Sequence, residues 1–301
     1  MHLLYITFGK DIANHIQAAF SIYSFLTQNN TPDSINIITD EPVFYRHLAS
    51  VVNIIEVDEA QLQEWRGPHN FLWRIKIKAI AKICAAYPGE PVMYLDTDTV
   101  LYRNAADIRN RLDKGHALMH ENEGPLSAAS SKTEKKMWAD VKNNLYGNIK
   151  ISAQDAMWNA GIVATPNTSN SAEIQLALQI CDDMCAAGVP RRLIEQFALS
   201  VALQHTYGLF PASKSIAHYW SNKEAWNVAI AKFFMQSYLQ QFSLSQIIES
   251  LKEMDFSAIP VVMKQTNTNK RLQKKIDYFF PPRDTAFVSN QLKEASPGKH
   301  I

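Results

Sequence analysis

The sequence has no long apolar run, almost no net charge and no recognisable export signal. None of its apolar runs approaches the length of a membrane-spanning helix. The first residues, MHLLYITFGK, lack the basic and then apolar pattern of a signal peptide. A net charge of +1 supplies no basic field, so nucleic acid is not an expected partner. We therefore expect a cytoplasmic protein that is at most peripheral to the inner face of a membrane.

Cysteine is also sparse, with Cys84, Cys181 and Cys185 as the complete set. Cys181 and Cys185 are four residues apart in a helical pattern, so they would share one face of a helix. No second cysteine or histidine pair has the spacing of a zinc site. The expectation is therefore three reduced cysteines buried in a core.

Apolar residues are abundant and make up 47% of the 301 residues, which is enough for a large core. Short apolar runs at His2–Phe8, Ser34–Thr39 and Val51–Val57 are typical of strands, and residues with helical spacing separate the first two. This alternation predicts an α/β fold with a Rossmann-like, mostly parallel central sheet flanked by helices. We predict one domain over residues 1–260, followed by a basic tail over residues 261–301.

Two carboxylates interrupt the apolar run VMYLDTDTVL at Val92–Leu101. The run predicts a strand buried on both faces, and Asp96 and Asp98 would stand at its carboxyl end, where open α/β sheets bind ligands. In an ideal strand the two side chains would point the same way. Carboxylates so close together repel each other unless a cation compensates, and a divalent cation with oxygen ligands is the obvious candidate.

The helix that precedes this strand is predicted to span Asn70–Tyr87 and carries a basic stripe. Arg74, Lys78 and Lys82 are spaced four residues apart, so they lie on one face. The stripe is either a solvated surface or, through Arg74 or Lys78, a contact to a phosphate. Lys76 lies off the stripe and has no assigned role.

Three further features follow in chain order, namely Asn159-Ala-Gly161 before a strand, Glu195-Gln196 in a helix and His218 after a strand. The small residues at 160 and 161 would let a ligand approach the backbone closely. Glu195 can also be interpreted without a functional role, as an acidic residue near a helix N-terminus, where the helix dipole favours a negative charge. On residue type alone, a lone histidine such as His218 is more often a structural group than a ligand.

The order of these features over residues 1–225 resembles the nucleotide-sugar glycosyltransferases of the GT-A fold, in the branch that includes glycogenin and bacterial lipopolysaccharide galactosyltransferases. YLDTDTV is the one closely matching stretch. The resemblance implies a hexosyltransferase that uses a nucleoside-diphosphate sugar, with a UDP-sugar as the expected donor and a saccharide or glycolipid as acceptor. It also implies a divalent metal, with Mn²⁺ expected and Mg²⁺ as the alternative.

The resemblance also assigns roles to individual residues. The metal ligands would be Asp96, Asp98 and His218, and the catalytic pair would be Glu195 and Gln196. The donor-binding residues would be Thr7, Phe8, Asp40, Arg74, Lys78, Asn159 and Gly161. The sequence departs from the family because the glycine and lysine that usually follow the histidine are not found at their usual spacing. The stereochemical outcome is therefore not carried over.

Two other functions use the same features. A nucleotidyltransferase of the same fold would have a glycine-rich basic loop after its first strand, and TFGKDIANH offers one glycine and one lysine there. A non-catalytic nucleotide-sugar-binding protein would keep the site without turnover.

The tail is basic and aromatic. Arg271, Lys274 and Lys275 precede Tyr278 and Phe279, a composition suited to an anionic lipid surface, and Lys270 and Phe280 extend the same pattern. The alternative is a solvated, partly ordered appendage. Residues 289–301 are predicted to be disordered.

Overall fold

The computed structural model describes residues 1–28, 32–261 and 267–281, without the side chains of Asn267, Thr268 and Lys270. Backbone contacts group Met1–Pro260 into one unit and Val261–Ile301 into a second. The disorder predicted for residues 289–301 concerns residues outside the described ranges.

Thirteen strands lie in the described residues of the first unit. They are β1 His2–Thr7, β2 Ser34–Thr39, β3 Asn53–Glu56, β4 Val92–Leu95, β5 Thr99–Leu101, β6 Ala117–Met119, β7 Asn122–Pro125, β8 Leu145–Tyr146, β9 Ile149–Lys150, β10 Ala156–Trp158, β11 Ile162–Thr165, β12 Leu209–Pro211 and β13 Ile216–His218.

Seven of these strands form the central sheet, in the order β12-β6-β11-β4-β1-β2-β3. The pairs β1–β2, β1–β4, β2–β3 and β6–β12 are parallel, whereas β11 runs antiparallel to both β4 and β6. The predicted mostly parallel α/β sheet is confirmed. Strand β11 runs antiparallel to β4, so the start of β11 lies at the edge of the sheet where β4 ends. Asn159, which comes just before β11, is therefore brought to that edge.

Helices of the first unit cover both faces of the sheet. The described helices of that unit are α1 Ile12–Leu26, α2 Glu59–Arg66, α3 Arg74–Ala86, α4 Ala106–Asp113, α5 Lys132–Val141, α6 Ala172–Ala186, α7 Ile194–Thr206, α8 Lys223–Leu239 and α9 Leu244–Lys252. The second unit contains α10 Asn267–Phe279. One core packs side chains of α3, α6 and α7 on one face of the sheet. The other packs α1, α4, α8 and α9 on the opposite face. The sheet is therefore buried on both sides, as the apolar strands require.

Two of the differences from the predicted bounds lie near the acidic pair. The run Val92–Leu101 is two strands rather than one, because the chain turns at residues 96–98 and β5 pairs with β13 in a separate two-stranded sheet. Helix α3 begins at Arg74 rather than Asn70 because residues 67–73 form turns, with Asn70 at a φ of 45°.

The three cysteines are buried and unbridged, as predicted. No helix in the described part of the chain combines the length and apolarity that crossing a bilayer requires.

Candidate active site

The turn after β4 holds the two carboxylates at the edge of the sheet. The Asp96 amide donates to the Gly161 carbonyl at 2.8 Å, and the Thr99 hydroxyl donates to the Asp96 carbonyl at 2.8 Å. Both bonds tie the turn to neighbouring backbone. Asp98 is buried, with 3% of its surface exposed, whereas Asp96 is partly exposed.

Strand β13 brings His218 to this turn, although 120 residues separate it from Asp98. In the β5–β13 pair, His218 lies opposite Thr99, the residue after Asp98. The Nε2 atom of His218 is 3.4 Å from Asp98 Oδ1 and 3.7 Å from Asp96 Oδ2. One ligand atom from each of the three residues lies within 4.8 Å of the other two. The three predicted metal ligands are therefore brought together.

Asn159 determines how the His218 ring is protonated. The Gly161 amide donates to Asn159 Oδ1 at 3.0 Å, so this oxygen is an acceptor, and His218 Nδ1 lies 3.0 Å from the same oxygen. Nδ1 must then carry a proton, which leaves Nε2 as the ring nitrogen that faces the two carboxylates and is placed to bind a metal. Asp98 Oδ2 also lacks a well-aligned hydrogen bond although it is buried.

This donor set fits a divalent cation. Two carboxylates and one imidazole nitrogen are ligands that Mn²⁺ and Mg²⁺-type sites accept, and the second nitrogen is held by an outer hydrogen bond, as is usual for metal-binding histidines. A cation at this place would take one ligand atom each from Asp96, Asp98 and His218. The geometry does not distinguish one divalent metal from another.

Lys223, the first residue of α8, lies at the same carboxylates. Its Nζ is 3.0 Å from Asp98 Oδ2. Burial alone would raise the pKa of Asp98, but the hydrogen bonds and charges of His218 and Lys223 outweigh it and hold that pKa at about 2. Asp98 is therefore an anion at any physiological pH.

A second buried cluster joins Lys76 on α3 to Glu195 on α7. Lys76 Nζ is 3.1 Å from Glu195 Oε1 and 3.4 Å from Asp96 Oδ1, and it donates to the Ala160 carbonyl at 3.1 Å. The two carboxylates outweigh burial and raise the pKa of Lys76, which stays charged. Burial raises the pKa of Glu195 by more than Lys76 lowers it, and the charge of Asp96 raises it as well.

A cavity of about 330 Å³ opens beside these clusters. Its inner wall includes Lys76, Asp96, Asp98 and Lys223. Apolar side chains line other parts of it, among them Ile6, Phe8, Leu72 and Trp73. Apolar side chains with a few charged or polar groups beside them are the usual lining of a ligand-binding cavity.

The predicted donor residues at the first strands have different surroundings. Thr7 and Phe8 line the cavity. Asp40 instead accepts hydrogen bonds from the Gly9 amide at 2.9 and 3.2 Å, and so fixes the loop between β1 and α1.

The basic stripe on α3 is not brought to the carboxylates. Arg74 forms a two-pronged ion pair with Asp182 on α6, with N–O distances of 2.7 and 2.9 Å, and also donates to the Trp65 carbonyl. Lys78 Nζ lies 3.4 Å from Glu64. Residues 74 and 78 face α6 and α2, whereas Lys76, two residues from each, faces the site.

Gly161 has a close neighbour, but it is a side chain of the protein. A Cβ at Gly161 would lie 2.2 Å from Nδ1 and Cε1 of His218. The sequence predicted close approach by a ligand at this glycine. The structure places the His218 ring there, so any larger residue would displace it.

Gln196 lies at the outer edge of the site. Its Nε2 donates to Glu123 Oε2 at 2.9 Å, and Glu123 Oε1 accepts from Asn159 Nδ2 at 3.3 Å. The predicted residues Asn159 and Gln196 are thus joined through Glu123, an exposed residue of β7 that the sequence analysis did not single out.

Sequence reasoning also missed Lys76 and Lys223. A signal for Lys76 was available, because it stands between Ile75 and Ile77, off the basic stripe of an amphipathic helix, where lysine is buried only when it is paired. Lys223 follows His218 by five residues, outside the spacing that the family resemblance suggested.

Comparisons with known proteins define the fold. No protein-family model matches the sequence, and no curated protein sequence does. The structure of the galactosyltransferase LgtC, in complex with donor and acceptor sugar analogs, is similar with a TM-score of 0.51 and 10% identity, over 85% of this chain and 98% of LgtC. The protein therefore has a GT-A-type glycosyltransferase fold, as predicted.

Two weaker similarities are to enzymes of the same general kind. Mouse xyloside xylosyltransferase 1 has a TM-score of 0.46 and 12% identity, over 70% of this chain and 84% of that enzyme. The glycosyltransferase GlyE of Streptococcus pneumoniae has a TM-score of 0.44 and 13% identity, over 91% of this chain and 64% of GlyE.

Proposed function

We propose that the protein is a metal-dependent glycosyltransferase that moves a hexose from a nucleoside-diphosphate sugar, with a UDP-sugar as the expected donor, to a saccharide or glycolipid. The observation that carries this proposal is the group of Asp96, Asp98 and His218 at the end of β4, in which one ligand atom from each residue lies within 4.8 Å of the other two. Residues of this kind at this edge of an α/β sheet suit a cation and a ligand with phosphates.

The charges in the cavity support this choice of substrate. Asp96, Asp98 and His218 would hold Mn²⁺ or Mg²⁺, which supplies Lewis-acid neutralisation of a diphosphate leaving group. Lys223 lines the cavity and lies 3.0 Å from Asp98, so its Nζ is within reach of a phosphate oxygen bound beside that carboxylate. Thr7 and Phe8 are assigned to the base and ribose because they line the same cavity.

Glu195 and Gln196 are assigned different tasks. The Glu195 carboxyl is 7% exposed and pairs with Lys76, so we assign it to holding that cation near Asp96 and the donor sugar. Gln196 is partly exposed and offers only hydrogen bonds, which suits an acceptor hydroxyl or a sugar oxygen. Asn159 completes the side of the site on which the donor sugar is expected.

The deciding experiment is a screen of nucleotide sugars that measures the released nucleoside diphosphate with and without Mn²⁺. Asp98→Asn and Asp96→Asn should abolish metal-dependent release, while Asp140→Asn, an exposed acid on α5, should leave it unchanged. Release that continues undiminished in Asp98→Asn would refute the proposed metal site.

The screen and a second assay, which supplies a nucleoside triphosphate with a sugar phosphate and measures pyrophosphate, separate the alternatives. A nucleotidyltransferase would release pyrophosphate from a nucleoside triphosphate and a sugar phosphate. A non-catalytic binding protein would bind the nucleotide sugar without release in either metal condition. Either result would overturn the proposal.

We also propose that α10 contacts an anionic membrane surface, as its composition suggests. Leu272, Ile276 and Phe279 are exposed at helical spacing, and Arg271 and Lys275 flank them. A chain that ends at Pro260 should lose sedimentation with vesicles that contain phosphatidylserine. Equal sedimentation of the two chains would exclude this role.

A further inference from the structure

Glu123 stands outside the predicted site but contacts two of its amide side chains. Its Oε1 accepts from Asn159 Nδ2 at 3.3 Å and its Oε2 accepts from Gln196 Nε2 at 2.9 Å. The residue is exposed on the short strand β7, which pairs with β10, the strand just before Asn159. A carboxylate can only accept hydrogen bonds, so it orients both amides with their NH₂ groups toward itself.

The orientation of Asn159 is consequently fixed from two sides. Glu123 attracts Nδ2, and the Gly161 amide donates to Oδ1 at 3.0 Å. A flipped amide would point its NH₂ at the Gly161 N–H and its oxygen at the Glu123 carboxylate. Both of those contacts are repulsive, so the flipped state is unfavourable while Glu123 is present.

This orientation reaches the metal-binding group through His218. Because Asn159 presents an oxygen to Nδ1, that nitrogen carries a proton, and Nε2, which lies 3.4 Å from Asp98 Oδ1, is the nitrogen left to bind a metal. If the amide flipped, its NH₂ would face Nδ1 and favour a proton on Nε2. A protonated Nε2 cannot bind a metal.

We propose that Glu123 is a positioning residue that, through the Asn159 amide, holds His218 in the tautomer that binds the metal. This inference rests on the proposed metal site but not on the identity of the sugar. The Glu123 carboxylate also orients a second amide, that of Gln196, on the outer side of the site.

The test measures Mn²⁺ affinity directly, from the electron paramagnetic resonance signal of free Mn²⁺, without any substrate. Asn159→Ala removes the outer partner of His218 and should weaken Mn²⁺ binding about 10- to 100-fold, and Glu123→Ala, which acts through Asn159, should weaken it by up to that amount. Glu121→Ala is the matched control, since Glu121 is an exposed carboxylate two residues away whose side chain makes no ion pair or hydrogen bond among the described residues. It should change the affinity by less than about twofold.

Double variants identify the route. With Asn159→Ala already present, Glu123→Ala should cost less than about twofold, because its effect passes through Asn159. With Gln196→Ala present, Glu123→Ala should keep its full cost. If Glu123 had only a structural role, Glu123→Ala would instead lower Tm, and it would weaken Mn²⁺ binding equally in the Asn159→Ala and Gln196→Ala backgrounds.

The outcomes separate this inference from the proposed function. A wild-type protein that does not bind Mn²⁺ would overturn the metal site itself. A wild-type protein that binds Mn²⁺ while Glu123→Ala binds it equally well would overturn the role of Glu123 and leave the metal site standing.

Discussion

Asp98 and Glu195 are both buried carboxyl groups close to Asp96, yet their pKa values move in opposite directions. The pKa of Asp98 is held at about 2, although burial opposes this, because His218 and Lys223 both face it. The pKa of Glu195 is raised, because burial outweighs Lys76, a single cation that it shares with Asp96. Asp98 faces His218 and Lys223, whereas Glu195 shares Lys76 with Asp96, so the two carboxyl groups differ in the positive partners that oppose the effect of burial.

The two regions also differ in the groups that they bring together. Lys76 lies between two carboxylates of the protein, those of Glu195 and Asp96. Asp98 lies beside Lys223 and His218, and Asp96, Asp98 and His218 together offer three ligand atoms close enough for one cation. We therefore expect the Lys76–Glu195 region to contribute mainly to stability and the Asp98 region to respond to a bound cation.

The largest expected effect concerns the Lys76–Glu195 region. Lys76→Met removes the cation of a buried pair and should lower the free energy of unfolding by about 3–5 kcal/mol, because Glu195 is left without a partner. The pKa of Glu195 is already raised from 4.5 and would rise further. The folded state then binds a proton that the unfolded state releases, so stability falls as the pH rises through this window. Urea titrations at pH 5 and pH 8 should show the larger deficit at pH 8.

Lys76→Met/Glu195→Gln supplies the control for this experiment. The amide carries no charge, so the double variant should regain part of the lost stability and lose the pH dependence. A single variant Lys76→Met that is as stable as the wild type would mean that the pair does not stabilise the fold.

The second-largest expected effect is stabilisation by Mn²⁺, and it should depend mainly on the Asp98 region. Mn²⁺ at 100 times its Kd should raise the free energy of unfolding by about 2.7 kcal/mol, because the ligand binds the folded state. Glu195→Gln should keep most of this gain, and Asp98→Asn should lose it. Thermal melts with and without Mn²⁺ measure the difference, and an equal gain in both variants would contradict the division into two regions.

The sequence predicted the Asp98 region better than the Lys76–Glu195 region, for a physical reason. Asp96 and Asp98 interrupt an apolar strand, which is a local signal. His218 and Asn159 lie 120 and 61 residues from Asp98 and were identified only through the order of features in a resembling family. Lys76 was left without a role because its partner Glu195 lies on another helix.

The fold, too, was predicted only as far as local sequence patterns allow. Alternating strands and helices predicted the mostly parallel sheet, since each apolar run signals its own burial. The antiparallel direction of β11 and the pairing of β5 with β13 depend on contacts between distant segments, which periodicity does not encode. These two features bring Asn159 and His218 to Asp98.

The smallest expected effect tests the basic stripe on α3, where phosphate contacts were predicted. Arg74 binds Asp182 and the Trp65 carbonyl, and only 14% of its side chain is exposed. Arg74→Lys should therefore lower the free energy of unfolding by about 1–2 kcal/mol, because one ammonium cannot replace the two-pronged pair. Lys78→Ala should change it by less than about 0.5 kcal/mol. Neither variant should alter the donor KM, whereas Lys223→Ala should raise it, since Lys223 lines the cavity and Arg74 and Lys78 face other helices. If Arg74→Lys raised the donor KM, Arg74 would contact the donor phosphates after all. Helix α3 would then contribute cations to the site from two of its faces.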